Sequence, residues 1–192
     1  MFRYWWLIFL AFGLTACGPS KYVDEVEDPK SALLVGHIET DDAQPMWFHW
    51  VQLKHTDPAG NEEYYTARTD EDGMFYVENV PLGVYEIHRI GQRNRPMGAN
   101  GVRGGGNNLG IVWNLGESGK ATAMRVKAPG VAYFGSFKYT YIEGKGFFGR
   151  DSFTFSRWDR PQEKELLQRL LKYTKKTRWE GMTQARLAAI AK

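Results

Sequence analysis

Apolar and polar residues alternate with a period of two between residues 31 and 158. Successive side chains of a β-strand point to opposite faces of a sheet, so this alternation predicts strands that bury one face. Turn-forming residues separate runs that are rich in β-branched and aromatic residues. These runs are SALLVGHIET, MWFHWVQLKH, EEYYTART, GMFYVENV, GVYEIHRI, ATAMRVKA, VAYFGSFKYTYIE and DSFTFSRW. The pattern predicts a mainly β domain over residues 31–158, an antiparallel β-sandwich.

Two stretches depart from the alternation. Residues 91–110 contain seven glycines and predict a loop. Residues 159–192 predict a C-terminal α-helical segment, because their apolar residues recur at helical spacing. The apolar positions are Leu166, Leu167, Leu170, Leu171 and Tyr173 in a first helix, and Trp179, Met182, Leu187 and Ile190 in a second, short one.

Asp159, with Pro161 and Gln162 behind it, marks a start for the first of these helices. The leucines of the helix need an apolar surface to cover. Two adjacent predicted strands carry aromatic residues at Trp47, Phe48, Trp50, Tyr64 and Tyr65, and one parity of each strand must face outward unless helices cover it. We therefore expect the C-terminal helices to dock on those strands.

The first sixteen residues have the layout of a signal peptide. Arg3 and the amino terminus are positive, and the run from Trp5 to Leu14 carries no charge. A helix of that length reaches about 15 Å, roughly half of a bilayer core, so it is too short to span a membrane stably. Residues 1–16 are therefore predicted to be removed.

Cys17 is the only cysteine of the chain, so it has no partner for a disulfide in an oxidising compartment. The run Leu14-Thr15-Ala16-Cys17 resembles the bacterial lipobox. This resemblance implies that Cys17 is lipidated and becomes the new amino terminus, and Gly18 behind it favours the outer membrane, facing the periplasm. The expected partner at this end is the membrane, through the lipid. Residues 17–30 mix glycine, proline and charge, which predicts a flexible tether.

Charge is uneven along the chain. Residues 18–159 have a net charge of −4, whereas residues 160–192 have +6. The basic residues of the tail alternate with leucines at helical spacing, which is typical of a solvated helix face. No nucleic-acid motif accompanies them, so no nucleic-acid partner is expected.

The segment TDEDGMFYVENVPLGVYEIHRI, residues 69–90, predicts strands joined by tight turns. Asp70 and Asp72 can bond the local backbone, and Gly73 can take a positive φ. Residues two apart on a strand point to the same face of a sheet. The inward face is therefore predicted to hold Phe75 and Val77 on one strand, and Tyr85 and Ile87 on the next. The segment resembles the carboxypeptidase regulatory-like domain, a transthyretin-like β-sandwich. The resemblance covers residues 33–90 and implies a non-catalytic module for folding support, sugar or protein binding, or spacing.

Candidate chemistry is sparse. DEDGMFYV lacks the later oxygen ligands of a calcium loop, and no histidine pair has zinc spacing. GVRGGGNNLG lacks the ending of a phosphate-binding loop, and no serine lies in a nucleophile motif. We therefore expect no catalytic residue, no metal and no cofactor. The histidines His37, His49, His55 and His88 are expected to be packing or surface residues.

The segment GKGFFGR, residues 144–150, is the candidate contact for a partner. Phe147 and Phe148 are adjacent, so at least one ring should be exposed on a short extended tip. Lys145 and Arg150 flank the pair and could help to grip a partner protein or lipid headgroups.

The sequence as a whole predicts a non-catalytic lipoprotein of the bacterial cell envelope that acts as a binding or structural module. The partner is expected to be an envelope protein or a glycan. One alternative is a glycan-binding module, which would need an exposed Trp47 or Trp50. The other is a hydrolase, which would need two facing carboxylates in a deep pocket.

Overall fold

The structure is a computed structural model, and it describes residues 23–40, 48–70, 72–92, 111–142 and 152–191. The strands are β1 (Ala32–Thr40), β2 (Phe48–Thr56), β3 (Glu62–Arg68), β4 (Met74–Val80), β5 (Gly83–Gln92), β6 (Ile111–Asn114), β7 (Met124–Val126), β8 (Gly130–Ile142) and β9 (Ser152–Trp158). The helices are α1 (Glu117–Lys120), α2 (Glu163–Leu170) and α3 (Arg178–Ile190). The alternating runs predict most of these strands, whereas β6 and α1 lack a clear pattern because each is only four residues long.

The strands form two sheets that pack as a β-sandwich, which confirms the predicted fold class. Sheet A has the order β4-β1-β8-β9, and sheet B has the order β3-β2-β5-β6, with β7 also paired to β5. Neighbouring strands are antiparallel except for β1 and β8, which run parallel in the middle of sheet A. That pairing joins segments about a hundred residues apart in the chain, and strand periodicity alone does not predict it.

The main core lies between the two sheets. Phe75, Tyr85 and Ile87 are fully buried there, and Val77 is 8% exposed, which confirms the predicted inward face. Gly36 on β1 makes room for Phe75, because a Cβ atom at Gly36 would lie only 2.4 Å from the Phe75 ring. The paired β1 and β4 strands can therefore bring a glycine and a large ring into direct contact.

A second core lies on the outer face of sheet A. Leu166, Leu167 and Leu170 of α2 and Trp179 of α3 are fully buried against Leu33, Val35 and Met74 of the sheet. The helices therefore dock on the sandwich as predicted, but the expected docking surface was wrong. They cover sheet A and not the strands that carry Trp50 and Tyr64. The reason lies in β1, whose residues Ala32–Val35 are all buried and need cover on both faces.

Helix α2 begins later than the sequence indicated. Its N-cap is Gln162 and not Asp159, and Gln162 forms a capping box with Glu165. Helix α3 contains the predicted apolar residues, with Trp179 buried and Met182, Leu187 and Ile190 partly buried. No helix in the described ranges is long and apolar enough to cross a membrane.

Residues 23–30 pack on the domain, although the sequence assigned them to the flexible tether. Val23 and Val26 are buried in the second core, and the Val23 N–H donates to the Tyr173 carbonyl at 3.1 Å. Asn79, in a left-handed backbone conformation, exchanges hydrogen bonds with the Glu25 carbonyl and the Glu27 N–H at 3.0 Å each. Two valines spaced three residues apart in a charged stretch were too weak a signal to predict this docking.

Candidate functional site

The residues selected from the sequence as functional lie outside the described ranges. They are the lipidation candidate Cys17 and the partner-contact candidates Lys145, Phe147, Phe148 and Arg150. Trp47 also lies outside them. The candidate site must therefore be built from the surfaces of the two sheets.

The turn that precedes β4 uses Asp70 as the sequence predicted. Asp70 Oδ1 accepts hydrogen bonds from the Asp72 N–H at 3.0 Å and the Met74 N–H at 2.8 Å. Its second oxygen, Oδ2, accepts a hydrogen bond from the Tyr173 hydroxyl at 3.0 Å. Burial, followed by the Asp70 charge, raises the pKa of Tyr173 to about 12. The turn thus holds the C-terminal segment in place. The sequence of the turn contains no signal for this long-range contact.

Two histidines are enclosed by the fold. His37 is 5% exposed, and its Nε2 lies 2.7 Å from the Asp72 carbonyl oxygen. Burial is the main cause that lowers the pKa of His37. His55 is 2% exposed and stacks on Tyr85 with ring centroids 4.7 Å apart. Both therefore pack within the protein, as the sequence predicted, and neither can reach a ligand without local opening of the fold.

The outer face of sheet B is different, because helices α2 and α3 do not cover it. Tyr64 on β3 is 49% exposed there, and its ring lies 5.1 Å from the ring of His88 on β5. The Tyr64 hydroxyl donates to Glu62 Oε2 at 3.2 Å. We use the name Tyr64 platform for the five residues Lys54, Glu62, Tyr64, Glu86 and His88.

Charges fix the rim of the Tyr64 platform. Lys54 Nζ lies 2.8 Å from Glu86 Oε1 and 3.2 Å from Glu62 Oε1. The hydrogen bond to Glu86, and after it the bond to Glu62, raises the pKa of Lys54. The hydrogen bond from Lys54 in turn lowers the pKa of Glu62. An exposed aromatic face surrounded by fixed donors and acceptors is suited to binding a ligand that has both apolar and polar groups.

The sequence identified Tyr64 as a candidate aromatic residue but could not identify its neighbours. Lys54 and Tyr64 are directly paired on β2 and β3, and Lys54 and Glu86 are paired on β2 and β5. Such cross-strand pairs depend on register, and here register is set by the inward face of each strand. Only the structure brings these residues together.

Trp50 lies on the same outer face of sheet B, four residues from Lys54 along β2. It is half-buried, because its indole covers Gly91 on the neighbouring strand. A Cβ atom at Gly91 would lie 2.0 Å from the Trp50 ring, so only glycine permits this contact. Trp50 therefore offers less free surface than Tyr64 for stacking on a ligand.

The hydrolase alternative would need facing carboxylates in a pocket. A groove of about 490 Å³ lies between β7, β8 and α3, and its described lining includes three basic residues and no acidic residue. In the described part of the chain, no three histidine, cysteine, aspartate or glutamate residues are grouped so that they could hold a metal ion. The groove thus lacks the pair of acids that this alternative requires.

Comparison with known proteins gives distant structural neighbours only. No protein-family model matches the chain, and no curated protein matches it significantly. One structural neighbour is a DUF3823 family protein from Parabacteroides merdae ATCC 43184, which is 15% identical with a TM-score of 0.27 over 68% of this chain and 60% of that chain. Another is a DUF3823 family protein from Bacteroides ovatus ATCC 8483, 14% identical with a TM-score of 0.25 over 68% and 59%. The chain thus spans about three fifths of the length of each neighbour.

Proposed function

We propose that the protein is a non-catalytic lipoprotein of the bacterial cell envelope that binds a ligand on the outer face of sheet B. The Tyr64 platform is the observation that carries this proposal. It combines an exposed ring with a rim of charges that are already held in place, so little ordering is needed when a ligand arrives. The module resembling a carboxypeptidase regulatory-like domain would be the rigid support of this surface.

The anchor belongs to the same proposal. The lipobox-like run before Cys17 supports lipidation of its sulfur, with Gly18 favouring the outer membrane and a periplasmic orientation. Since two or three acyl chains give durable retention, removal of the single attachment point should release the protein. Cys17→Ser should abolish labelling by radioactive palmitate and leave either an unprocessed precursor or a soluble form. Unchanged processing and equal membrane retention would contradict the lipid anchor.

A glycan is the ligand that the Tyr64 platform favours. A sugar ring presents an apolar face of C–H groups and a rim of hydroxyls, which match an aromatic ring and a polar rim. The alternative ligand is another envelope protein, for which exposed aromatic residues are also suited.

The two ligands can be separated with an oligosaccharide array and with crosslinking in intact cells. Tyr64→Ala should remove binding to the array, whereas Trp158→Ala, which removes another exposed ring on sheet A, should leave it intact. Loss of a crosslinked protein in Tyr64→Ala, with no array signal for the parent, would assign the platform to a protein ligand. If Tyr64→Ala changes neither assay, the outer face of sheet B is not the binding surface.

A further inference from the structure

Strand β8 pairs with β1 along one side, but on its other side only its second half pairs with β9. It has 13 residues, and β9 pairs with the part from Ser136 to Ile142. In the described part of the chain, the first six residues, Gly130–Gly135, pair with β1 alone. The edge of a strand presents backbone N–H and C=O groups that another strand can pair with. Phe134 and Gly135 are buried, and the Arg157 guanidinium lies beside Gly135, so the open part of this edge is Gly130–Tyr133.

The groove of about 490 Å³ lies along Gly130–Tyr133 of β8. The connection from β7 to β8 lines it on one side, and α3 lines it on the other through Met182, Ala185 and Arg186. Met124 and Met182 are partly buried and contribute side chains that adapt to different apolar groups. The groove thus combines a strand edge with apolar walls.

The charged residues of this groove are all basic. Arg125, Lys127 and Arg186 line it. Arg186 is bound to Glu163 at 2.6 Å, whereas Arg125 and Lys127 form no ion pair with a described residue. Both are exposed, and their charge is available to a ligand. Complementary charge therefore favours an acidic ligand.

We propose that this groove binds an extended acidic peptide segment of a partner protein, which adds to β8 as a strand beyond the end of β9. Main-chain pairing with β8 would supply affinity, and the basic side chains would select acidic residues on alternate positions of the peptide. A stretch of about four peptide residues, at roughly 3.3 Å per residue, would match Gly130–Tyr133 of the strand. This site is separate from the proposed anchor at Cys17 and from the Tyr64 platform, so it goes beyond the proposed function.

The test uses the full chain in detergent and fluorescence anisotropy of a fluorescein-labelled hexapeptide, Glu-Val-Glu-Val-Glu-Val. The peptide should bind, and its affinity should fall as sodium chloride is raised, since the attraction of exposed charges is screened. Arg125→Glu combined with Lys127→Glu should weaken binding about tenfold or more, because two attractions become repulsions. Lys172→Glu with Lys175→Glu, a matched exposed pair outside the groove, should change it less than about twofold.

A second pair of variants tests the position of the peptide. Ala185→Trp fills the groove from the exposed surface of α3 and should abolish binding, whereas Ala188→Trp, also exposed on α3 but outside the lining, should not. Thermal melting of each variant checks that it is folded. Tyr64→Ala and Cys17→Ser should bind the peptide as the parent does, so failure here is distinguishable from failure of the proposed function.

Three results would overturn the proposal. One is equal binding of a Glu-Val hexapeptide methylated on alternate backbone nitrogens, because methylation removes the donors that strand addition needs. Another is equal binding of the Lys-Val hexapeptide, which would exclude charge selection. The third is no peptide binding together with retention on phosphatidylglycerol vesicles that Arg125→Glu with Lys127→Glu reduces, which would assign the cations to a lipid headgroup.

Discussion

The outer faces of the two sheets differ in whether helices α2 and α3 cover them. On sheet A, α2, α3 and residues 23–30 build a second core in which Trp179 is fully buried. On sheet B, neither helix covers the equivalent face, and Tyr64 is 49% exposed. Aromatic residues occur on both faces, so aromatic content alone does not separate a covered face from an open one. What separates them is whether the neighbouring positions on each strand are apolar or polar.

The largest effect should come from the covered face. Trp179→Ala removes a fully buried indole from the second core and should lower the free energy of unfolding by about 3–5 kcal/mol. That loss is a large part of the stability of an ordinary domain. Urea unfolding followed by circular dichroism gives the measurement. A loss below about 1 kcal/mol would mean that the helices contribute little to the fold and that the contrast between the faces is wrong.

A smaller effect is expected where the Asp70 turn holds the C-terminal segment. Tyr173→Phe keeps the ring on Tyr76 and removes only the hydroxyl that donates to Asp70. The expected loss is about 1–2 kcal/mol, because the acceptor is charged and partly buried. Tyr65→Phe is the matched control on sheet B, since its hydroxyl donates to the exposed Glu63 at 2.7 Å. The free energy of unfolding of Tyr65→Phe should fall by less than about 0.5 kcal/mol. An equal loss in Tyr173→Phe and Tyr65→Phe would show that the bond to Asp70 contributes no more than an exposed one.

Protonation of His37 should weaken sheet A as pH falls. Its pKa in the folded protein is lowered, chiefly by burial, so the unfolded chain takes up a proton first, near pH 6.5. The stabilisation is therefore complete above about pH 6.5 and is lost as pH falls from there through the lower folded pKa, by at most about 1.4 kcal/mol per pH unit. Urea midpoints at several pH values should show this, and His37→Gln should flatten the curve. Parallel curves for parent and variant would exclude His37 as the cause.

The smallest change in stability should follow from Tyr64→Ala. The ring lies on the open face and contributes mainly surface, so the free energy of unfolding should stay within about 0.5 kcal/mol of the parent. The same urea experiment measures it. A loss above about 2 kcal/mol would show that the Tyr64 platform is structural, and the binding result for this variant could then no longer be interpreted as loss of a contact.

Much of the fold could be predicted from local pattern. The period of two in β4 and β5 identified Phe75, Val77, Tyr85 and Ile87 as core residues, because a strand with one buried face must alternate. The leucines of α2 were equally clear. The same reasoning placed the helices on the wrong sheet, since it followed the aromatic residues of β2 and β3.

A signal for the correct sheet was present in β1. Four consecutive apolar residues, Ala32–Val35, are typical of a strand buried on both faces, whereas β2 alternates from Val51 to Lys54. The Tyr64 platform and the β8 groove could not be predicted in the same way. Both depend on long-range pairing, including the parallel contact of β1 with β8, and such pairing is fixed by tertiary packing and not by local sequence.

The docking of Val23 has a consequence for the geometry of the proposed anchor. If Cys17 carries the proposed lipid while the Val23 N–H is bound to the Tyr173 carbonyl, only the residues between these two positions connect the domain to the membrane. At full extension they reach about 20 Å, less than the width of a small domain. A domain attached through so short a connection would have little freedom to tumble and would stay close to the bilayer. Its ligands would have to come to the membrane surface, and the same side of the domain would always be turned toward the lipid.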